Sequence, residues 1–255
     1  MSKVSKSARL KIKRANSHID TLIQQSAPLS RDLYEIRVER GRTHVLMANP
    51  DCFDLTYRPK EPISQHFGGI IGDAVNNMRE SLDYWTTAVF SARGEDGKKP
   101  NFPFEGEGKD LETNPQYLAI KKTFPDLANF ILKEVKPRKR DNFDLWAVTS
   151  LCNGNKHNDF LPVVSFTTIN NINAKIGSNT IKDCSVACNA DSPHKLIRAH
   201  MPITIENKFS TSVEIKFPKG AVFEDQPVIP TLLNLSQVTT KTLDALDRFI
   251  EPYIK

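Results

Sequence analysis

Two polar clusters in the sequence combine residue types that could perform chemistry on a phosphate. In the first cluster, Arg79 and Asp83 are four residues apart, the helical spacing at which a guanidinium meets a carboxylate. In the second cluster, Lys156 supplies a fixed positive charge beside His157, whose imidazole titrates near neutral pH and could act as a general acid or base. Together the clusters could bind a phosphate and move a proton.

Each cluster also has a structural explanation. An ion pair on the flank of a helix often fixes that helix against a neighbour, and for Arg79 and Asp83 the residues favour this interpretation. Asn153 and Gly154, which open the second cluster, are residue types that end helices, and Lys and His near a helix C-terminus complement its dipole. The residue types alone leave the functional interpretation open for both clusters.

Neighbouring polar residues are candidate supporting groups. On a helix that advances ~100° per residue, Asp73, Asn77 and Tyr84 fall on the outer face, away from the apolar stripe. Asn153 and Asn155 belong to the second cluster and precede its Lys-His pair. We therefore take these asparagines, with Asp73 and Asn77, as supporting residues of the candidate site.

Three motifs together resemble a family of uncharacterised bacterial proteins. They are residues 72–84, with the sequence GDAVNNMRESLDY, then Phe-Pro-Phe at 102–104, and then Asn-x-Asn-Lys-His at 153–157. The family has a G-D-A-x-x-N-x-R-x-x-L-D-H helix, an F-P motif and a D-K-H segment before a β-rich half. Its R-x4-H stretch is in turn similar to the active-site motif of HEPN-type helical ribonucleases.

The resemblance to HEPN-type ribonucleases implies both a function and a site. An arginine and a histidine, usually from two subunits, would cleave RNA without a metal, by attack of the 2′-hydroxyl. RNA and a second copy of the chain are then the expected partners, and a stress or phage-defence system is the expected setting. The candidate catalytic residues are Arg79, Asp83, Tyr84, Lys156 and His157.

The sequence departs from the family at Tyr84, which stands where the family has a histidine. Tyrosine has a pKa near 10, against about 6.5 for histidine, so at neutral pH its hydroxyl can donate a proton but is a poor general base. A ribonuclease mechanism would therefore use His157 in place of that histidine. Arg79 would stabilise the charge that develops on the phosphorane.

The positive charge of the chain is concentrated at one end. The 255 residues contain 35 Lys and Arg against 30 Asp and Glu, a net charge of +5. Residues 1–14 include six basic residues and no acidic one, so the remainder is close to neutral. This distribution predicts a local contact with a polyanion. The candidate polyanion-binding residues are Lys11, Lys13 and Arg14, with Arg138, Lys139 and Arg140 in a second basic segment.

Composition argues against several classes of protein. No apolar run approaches the ~20 residues that cross a bilayer, and the N-terminus lacks the apolar segment of a signal peptide. We therefore expect a cytoplasmic protein with no membrane partner. The four cysteines form no C-x-x-C pair, which argues against a disulfide framework and against a zinc site. We expect neither a metal nor another cofactor.

The spacing of apolar residues predicts the helices and strands. The helical period of three or four residues appears over 5–25, 63–91, 124–135 and 142–153, with Asp141 as a candidate N-cap, and again in a helix that starts near Pro230. Alternating residues predict a hairpin near 33–48, with its return strand at 44–47. Further strands are predicted at 160–168, 172–176, 180–188, 195–206 and 212–217.

This order of elements predicts an α+β fold, in which an N-terminal helical bundle with a short hairpin precedes an antiparallel β-rich half and a closing C-terminal helix. We expect a helical region over 1–159 and a β-rich region with the last helix over 160–255, packed as one unit. Three function classes fit this fold. They are an RNA-cleaving or RNA-binding protein, a non-catalytic protein-interaction module whose polar clusters are structural, and a small-molecule enzyme with a cleft between the helical and β layers.

Overall fold

Helices and antiparallel strands form an α+β fold, as the sequence predicts. The computed structural model describes residues 5–42, 51–95, 100–106, 108–157 and 163–254, without the side chains of residues 42 and 155–157. The α-helices of this part of the chain are α1 (Lys6–Ser26), α2 (Ile63–Ala92), α3 (Pro115–Thr123), α4 (Pro125–Phe130), α5 (Phe143–His157) and α6 (Val228–Ile250). The strands are β1 (Tyr34–Arg42), β2 (Asp51–Pro59), β3 (Val164–Ile176), β4 (Asn179–Asn189), β5 (His194–Ala199), β6 (Ile203–Ile205) and β7 (Ser210–Lys216).

Apolar periodicity predicted α1, α2, α5 and α6 to within a few residues. The reason is clearest in α2, where a continuous stripe that includes Met78, Trp85 and Val89 is fully buried. Burial of such a stripe stabilises a helix by about 25 cal/mol for each Å² of apolar surface removed from water. Among the described residues, none of the helices is long and apolar enough to span a membrane.

The helix predicted at 124–135 is divided in the structure. Its first part is α4, and its second part, Ile131–Val135, is a π-helix that ends at Lys136, a residue in the left-handed region with φ 51°. The preceding helix, α3, was not predicted. The signal for it is local, because Asn114 precedes Pro115 and its side chain accepts hydrogen bonds from the backbone N–H groups of the first turn.

The N-terminus of α5 is capped by a different residue from the one predicted. The backbone N–H of Leu145 donates to Asn142 Oδ1 at 3.4 Å. The predicted cap, Asp141, lies one residue too early, and its carboxylate instead faces Arg138 at 3.7 Å. The prediction of Asp141 as the cap is therefore wrong.

The strands are antiparallel, as predicted, but their boundaries differ. Residues 164–168 of the first predicted run and the whole run at 172–176 belong to the single strand β3, whose pairing with β4 shifts register between Ile169 and Ile172; residues 160–162 lie outside the described residues. The run at 195–206 forms two strands, β5 and β6. The partner of β1 is β2, which starts at Asp51, and the predicted return strand at 44–47 lies outside the described residues.

Two compact units make up the chain, and each combines segments that are distant in sequence. The first contains Met1–Asp20, Gly69–Leu161 and Val228–Lys255, and the second contains Thr21–Gly68 and Pro162–Pro227. In the first unit, one hydrophobic core includes Trp85 from α2, Leu145 from α5 and Leu246 from α6. The predicted regions 1–159 and 160–255, packed as one unit, stay a prediction.

The second unit contains two antiparallel sheets. One has the strand order β1-β2-β5, and the other has the order β4-β3-β6, with β7 also paired to β3. Tyr57 on β2 is fully buried, and its hydroxyl donates to the carbonyl of Ala190 at 2.9 Å. Burial raises the pKa of Tyr57 to about 12, so its hydroxyl stays protonated as a donor.

A buried carboxylate joins β2 to β5 in this unit. The Asp54 side chain is 5% exposed, and its two oxygens accept hydrogen bonds from Arg198 Nε at 2.7 Å and Nη2 at 2.9 Å. Lys195 Nζ lies 3.1 Å from the same carboxylate. The hydrogen bonds from Arg198 lower the pKa of Asp54 to about 2, so the carboxylate is ionised at neutral pH.

We expect Asp54→Asn to destabilise the protein by about 2 kcal/mol, because the change removes the charge that both cations face. The folded pKa lies below that of the unfolded chain, so this contribution is complete above pH ~4 and is lost as the pH falls toward 2. Chemical denaturation at pH 7 and pH 3 measures both effects, and the variant should lose less stability on acidification than the wild type.

Asp51→Asn is the matched control, because Asp51 forms an exposed pair with Arg40 in the same sheet. Its loss of stability should be much smaller, as is usual for exposed ion pairs. Equal losses in the two variants, or an unchanged pH response in Asp54→Asn, would contradict the structural role of Asp54.

Candidate functional site

Arg79 and Asp83 form the predicted ion pair, and their side chains are only 14% and 21% exposed. Both hold the backbone of Phe102: Asp83 Oδ1 accepts from its N–H at 2.8 Å, and Arg79 Nη2 donates to its carbonyl at 3.1 Å. Arg79 Nε also donates to Thr149 Oγ1 at 3.3 Å, and the guanidinium carbon lies 4.6 Å from the centroid of the Phe104 ring. We call this arrangement the Arg79–Asp83 clamp.

The clamp explains the Phe-Pro-Phe motif. Phe102 and Phe104 are buried in the core of the first unit, with ring centroids 5.2 Å apart in an edge-to-face arrangement. Pro103 lies between them and has no backbone N–H that burial would leave unpaired. The contacts of Arg79 and Asp83 are thus those of a structural ion pair, the interpretation that their residue types favoured.

The second cluster lies on the last turn of α5. Asn153 is exposed and follows Thr149, the clamp's partner on that helix, by one turn. The convergence of this cluster with Arg79 stays a prediction. Three of the predicted residues complete α5, but their side chains lie outside the described part of the structure: Asn155, Lys156 and His157.

The supporting residues on α2 interact with each other. Asn77 Nδ2 donates to the backbone carbonyl of Asp73 at 2.8 Å, a contact between successive turns of one helix. Such side chain to backbone bonds are local features of a helix. This contact explains Asn77 without a ligand.

Tyr84 lies in a groove with basic residues of α1, all within the first unit. Its side chain is 47% exposed, and Lys11 Nζ lies 5.1 Å from the centroid of its ring. The groove, which we call the α1 groove, has a volume of about 440 Å³. Its lining residues are Ser7, Leu10, Lys11, Lys13, Arg14, Ser17 and Tyr84.

The cations of the α1 groove differ in how their charge is balanced. Lys11 forms an ion pair with Glu80 on α2. Lys13 and Arg14 are exposed, and neither takes part in an ion pair within the part of the chain that the structure describes. The structure therefore leaves the charges of Lys13 and Arg14 available to an anionic ligand.

The second basic segment has closer contacts with its surroundings. Arg138 is 15% exposed, and both it and Arg140 lie 3.7 Å from the carboxylate of Asp141. Lys139 Nζ lies 5.0 Å from the centroid of the Trp146 ring, a cation–π distance. These contacts make the segment a weaker candidate for polyanion binding than the α1 groove.

Thr149 and Trp146 on α5 were not among the predicted site residues. They are three residues apart and so share a helix face, on which Trp146 Nε1 donates to the carbonyl of Glu105 at 3.2 Å. The helical spacing was a signal, but the segment after Phe104 that meets this face could not be placed from the sequence. Among the described residues, no group of three or more His, Cys, Asp or Glu side chains could hold a metal ion.

We expect Arg79→Ala and Asp83→Ala each to destabilise the protein by about 2–4 kcal/mol, because each leaves a buried charge and a backbone group of Phe102 unpaired. The double variant should lose less stability than the sum of the two single losses, by at least ~1 kcal/mol. Urea denaturation measures these values. Arg248→Ala, which removes an exposed arginine from α6, is the control and should change stability little, whereas additive losses at 79 and 83 would contradict the clamp.

Comparisons with known proteins leave the family of this chain open. No protein-family model, no curated protein and no solved structure matches it. The resemblance to uncharacterised bacterial proteins and to HEPN-type ribonucleases therefore stays a prediction, and the case for a function rests on the geometry of the site.

Proposed function

We propose that this protein binds single-stranded RNA in the α1 groove. The observation that carries the proposal is the position of Tyr84, half exposed in a groove with Lys11, Lys13 and Arg14. An exposed aromatic ring beside cations is the combination used to bind single strands, because bases stack on the ring while the cations face the phosphates. Tyr84 would then act as a stacking surface and not as a proton donor.

The charge of the groove favours a flexible polyanion. Lys13 and Arg14 lie on consecutive positions of α1 and are exposed, and Lys11 lies closest to the Tyr84 ring. Phosphates attract such cations regardless of sequence. The aromatic ring adds a preference for a nucleic acid over other polyanions, because a sulfated or phosphorylated polymer without bases cannot stack on it. In duplex RNA the base faces are stacked on each other, so a single strand is the better ligand.

The geometry supports binding of RNA better than cleavage of RNA. Arg79 has the chemistry to stabilise a phosphorane, but its guanidinium donates to Phe102, Thr149 and Asp83 within the core of the first unit. To reach a phosphate it would have to leave these buried partners, which would cost several kcal/mol. Metal-independent cleavage, a homodimer and a role in stress or phage defence stay predictions.

Fluorescence anisotropy with a labelled single-stranded RNA tests the proposal. Tyr84→Ala should weaken binding by about 5- to 150-fold, because base stacking on an aromatic side chain contributes about 1–3 kcal/mol. Tyr84→Phe keeps the ring and should bind like the wild type. Equal RNA affinity in Tyr84→Ala and the wild type would contradict a stacking role for Tyr84.

A charge variant tests the electrostatic part. Lys13→Gln with Arg14→Gln should weaken binding and reduce the salt dependence, by about 0.7 in the slope of log K against log[salt] for each lost phosphate contact. Lys121→Gln with Lys122→Gln removes the same charge from exposed positions on α3 and is the matched control. If both double variants lose the same affinity, binding depends on net charge and not on the α1 groove. Electrophoresis of the same RNA after incubation records cleavage separately.

A further inference from the structure

A second cleft in the first unit lies along α5 and has a volume of about 650 Å³. Trp146, Ser150, Asn153 and Gly154 contribute to one wall, and their spacing of three or four residues places them on one face of the helix. The opposite wall comes from the segment that follows the Arg79–Asp83 clamp and includes Glu105. We call this the Trp146 cleft, and the described residues that line it all differ from those of the α1 groove.

Hydrogen bonds fix the two walls against each other. Trp146 Nε1 donates to the carbonyl of Glu105 at 3.2 Å, and the backbone N–H of Lys139 donates to Glu105 Oε2 at 2.9 Å. The backbone N–H of Glu105 in turn donates to the carbonyl of Pro137 at 3.0 Å. The cleft is therefore preformed, and a ligand would not have to order these segments on binding.

Among the lining residues that the structure describes, positive and negative side chains are equal in number. Lys109 and Lys139 are balanced by Glu105 and Asp110. The described lining therefore offers no excess of positive charge to a bare phosphate. The cleft suits a neutral ligand that offers both hydrogen-bond donors and acceptors, because the hydroxyl of Ser150 and the amide of Asn153 can each donate and accept a hydrogen bond.

Trp146 narrows the chemical class of the ligand further. Lys139 is an exposed, flexible side chain, and its ammonium lies 5.0 Å from the Trp146 ring centroid. The Lys139 ammonium covers one face of the indole, and a planar base that displaces this exposed side chain could stack there. A volume of about 650 Å³ is within the range of small-molecule sites.

We propose that the Trp146 cleft binds a nucleoside, with the base stacked on Trp146 and the polar groups bonded to Asn153 and Ser150. The proposal does not rest on RNA binding in the α1 groove. The nucleoside could come as a free molecule or as an unstacked residue of an RNA strand, and both present the same base and ribose.

Gly154 offers a way to fill the cleft without disturbing the core. Among the described residues, a Cβ atom at this position would meet nothing within 4 Å, so a large side chain there has room beside them on the cleft side of α5. Gly154→Phe should therefore fold and occlude the cleft. Asn153 is exposed, so Asn153→Ala removes an amide from the cleft without opening the core.

Intrinsic tryptophan fluorescence provides the readout. The chain has two tryptophans, and Trp85 is fully buried with its Nε1 bonded to Asp247 at 2.8 Å, so a ligand in the cleft should change the emission of Trp146 alone. Titration with adenosine, guanosine, cytidine and uridine should give a saturable change for at least one of them. Gly154→Phe should abolish that change, and Asn153→Ala should weaken it by about 3- to 10-fold.

Asn129→Ala is the matched control, because Asn129 is an exposed asparagine on α4 outside the cleft. No saturable change with any of the four nucleosides, or an unchanged titration in Gly154→Phe, would overturn the proposal. Circular dichroism of Gly154→Phe confirms that the variant is folded, and Asn153→Ala provides the test if it is not.

A second arm of the experiment distinguishes the sources of the nucleoside. If free nucleosides change the emission of Trp146, single-stranded RNA quenches it too, and Tyr84→Ala reduces the quenching by RNA, the ligand is a residue of a strand held in the α1 groove. If free nucleosides act and RNA does not, the ligand is a free nucleoside; both results support the cleft. If RNA binding depends on Tyr84 but no nucleoside changes the emission of Trp146, nucleoside binding in the Trp146 cleft is contradicted and the proposed function stands.

Discussion

The hydrogen bonds from Arg79 and Asp83 to the backbone of Phe102 are the contacts on which the rest of the candidate site depends. A chain segment that enters a core outside a helix or sheet must have its N–H and C=O groups paired, since an unpaired buried group costs about 1–3 kcal/mol. At Phe102 the two side chains supply both partners. The following segment is thereby directed along α5, where Glu105 meets Trp146 and one wall of the cleft forms.

This constraint separates two uses of polar residues on one helix. Five residues after Arg79, at ~100° per residue, Tyr84 lies about 140° further around α2. Arg79 is mostly buried and engaged with the core, whereas Tyr84 is half exposed beside Lys11. The motif that resembles a ribonuclease site thus divides into an inward, structural part and an outward part that a ligand can reach. The outward part carries the proposed function because only it combines an accessible ring with cations that the structure leaves available.

The sequence predicted local features well and tertiary contacts poorly. The helices α1, α2, α5 and α6 follow from apolar spacing, and the pair Arg79–Asp83 follows from a spacing of four, because both depend on residues within one or two turns. The contacts between Asp54 and Arg198 or between Lys11 and Glu80 join residues 144 and 69 positions apart, and no periodicity encodes them. The helix α3 was not predicted because it has only nine residues, of which two, Tyr117 and Ile120, are buried, and so short a segment shows no helical period; Asn114-Pro115 nevertheless marks its start.

The basic first turns of α1 oppose the positive end of the helix dipole, and the structure divides the charges there into two groups. Arg9 bonds to Asp244 and Asp247 on α6, and Lys11 pairs with Glu80, so these charges contribute to packing within the first unit. Lys13 and Arg14 have exposed side chains that contribute no such pair in the described residues. Both residues lie beyond the first turn of α1, where the effect of the helix dipole has fallen off, so neither the helix end nor an ion pair in the described residues engages their charges. Of the basic residues that line the α1 groove, Lys13 and Arg14 are therefore the ones whose charges stay available to the proposed ligand.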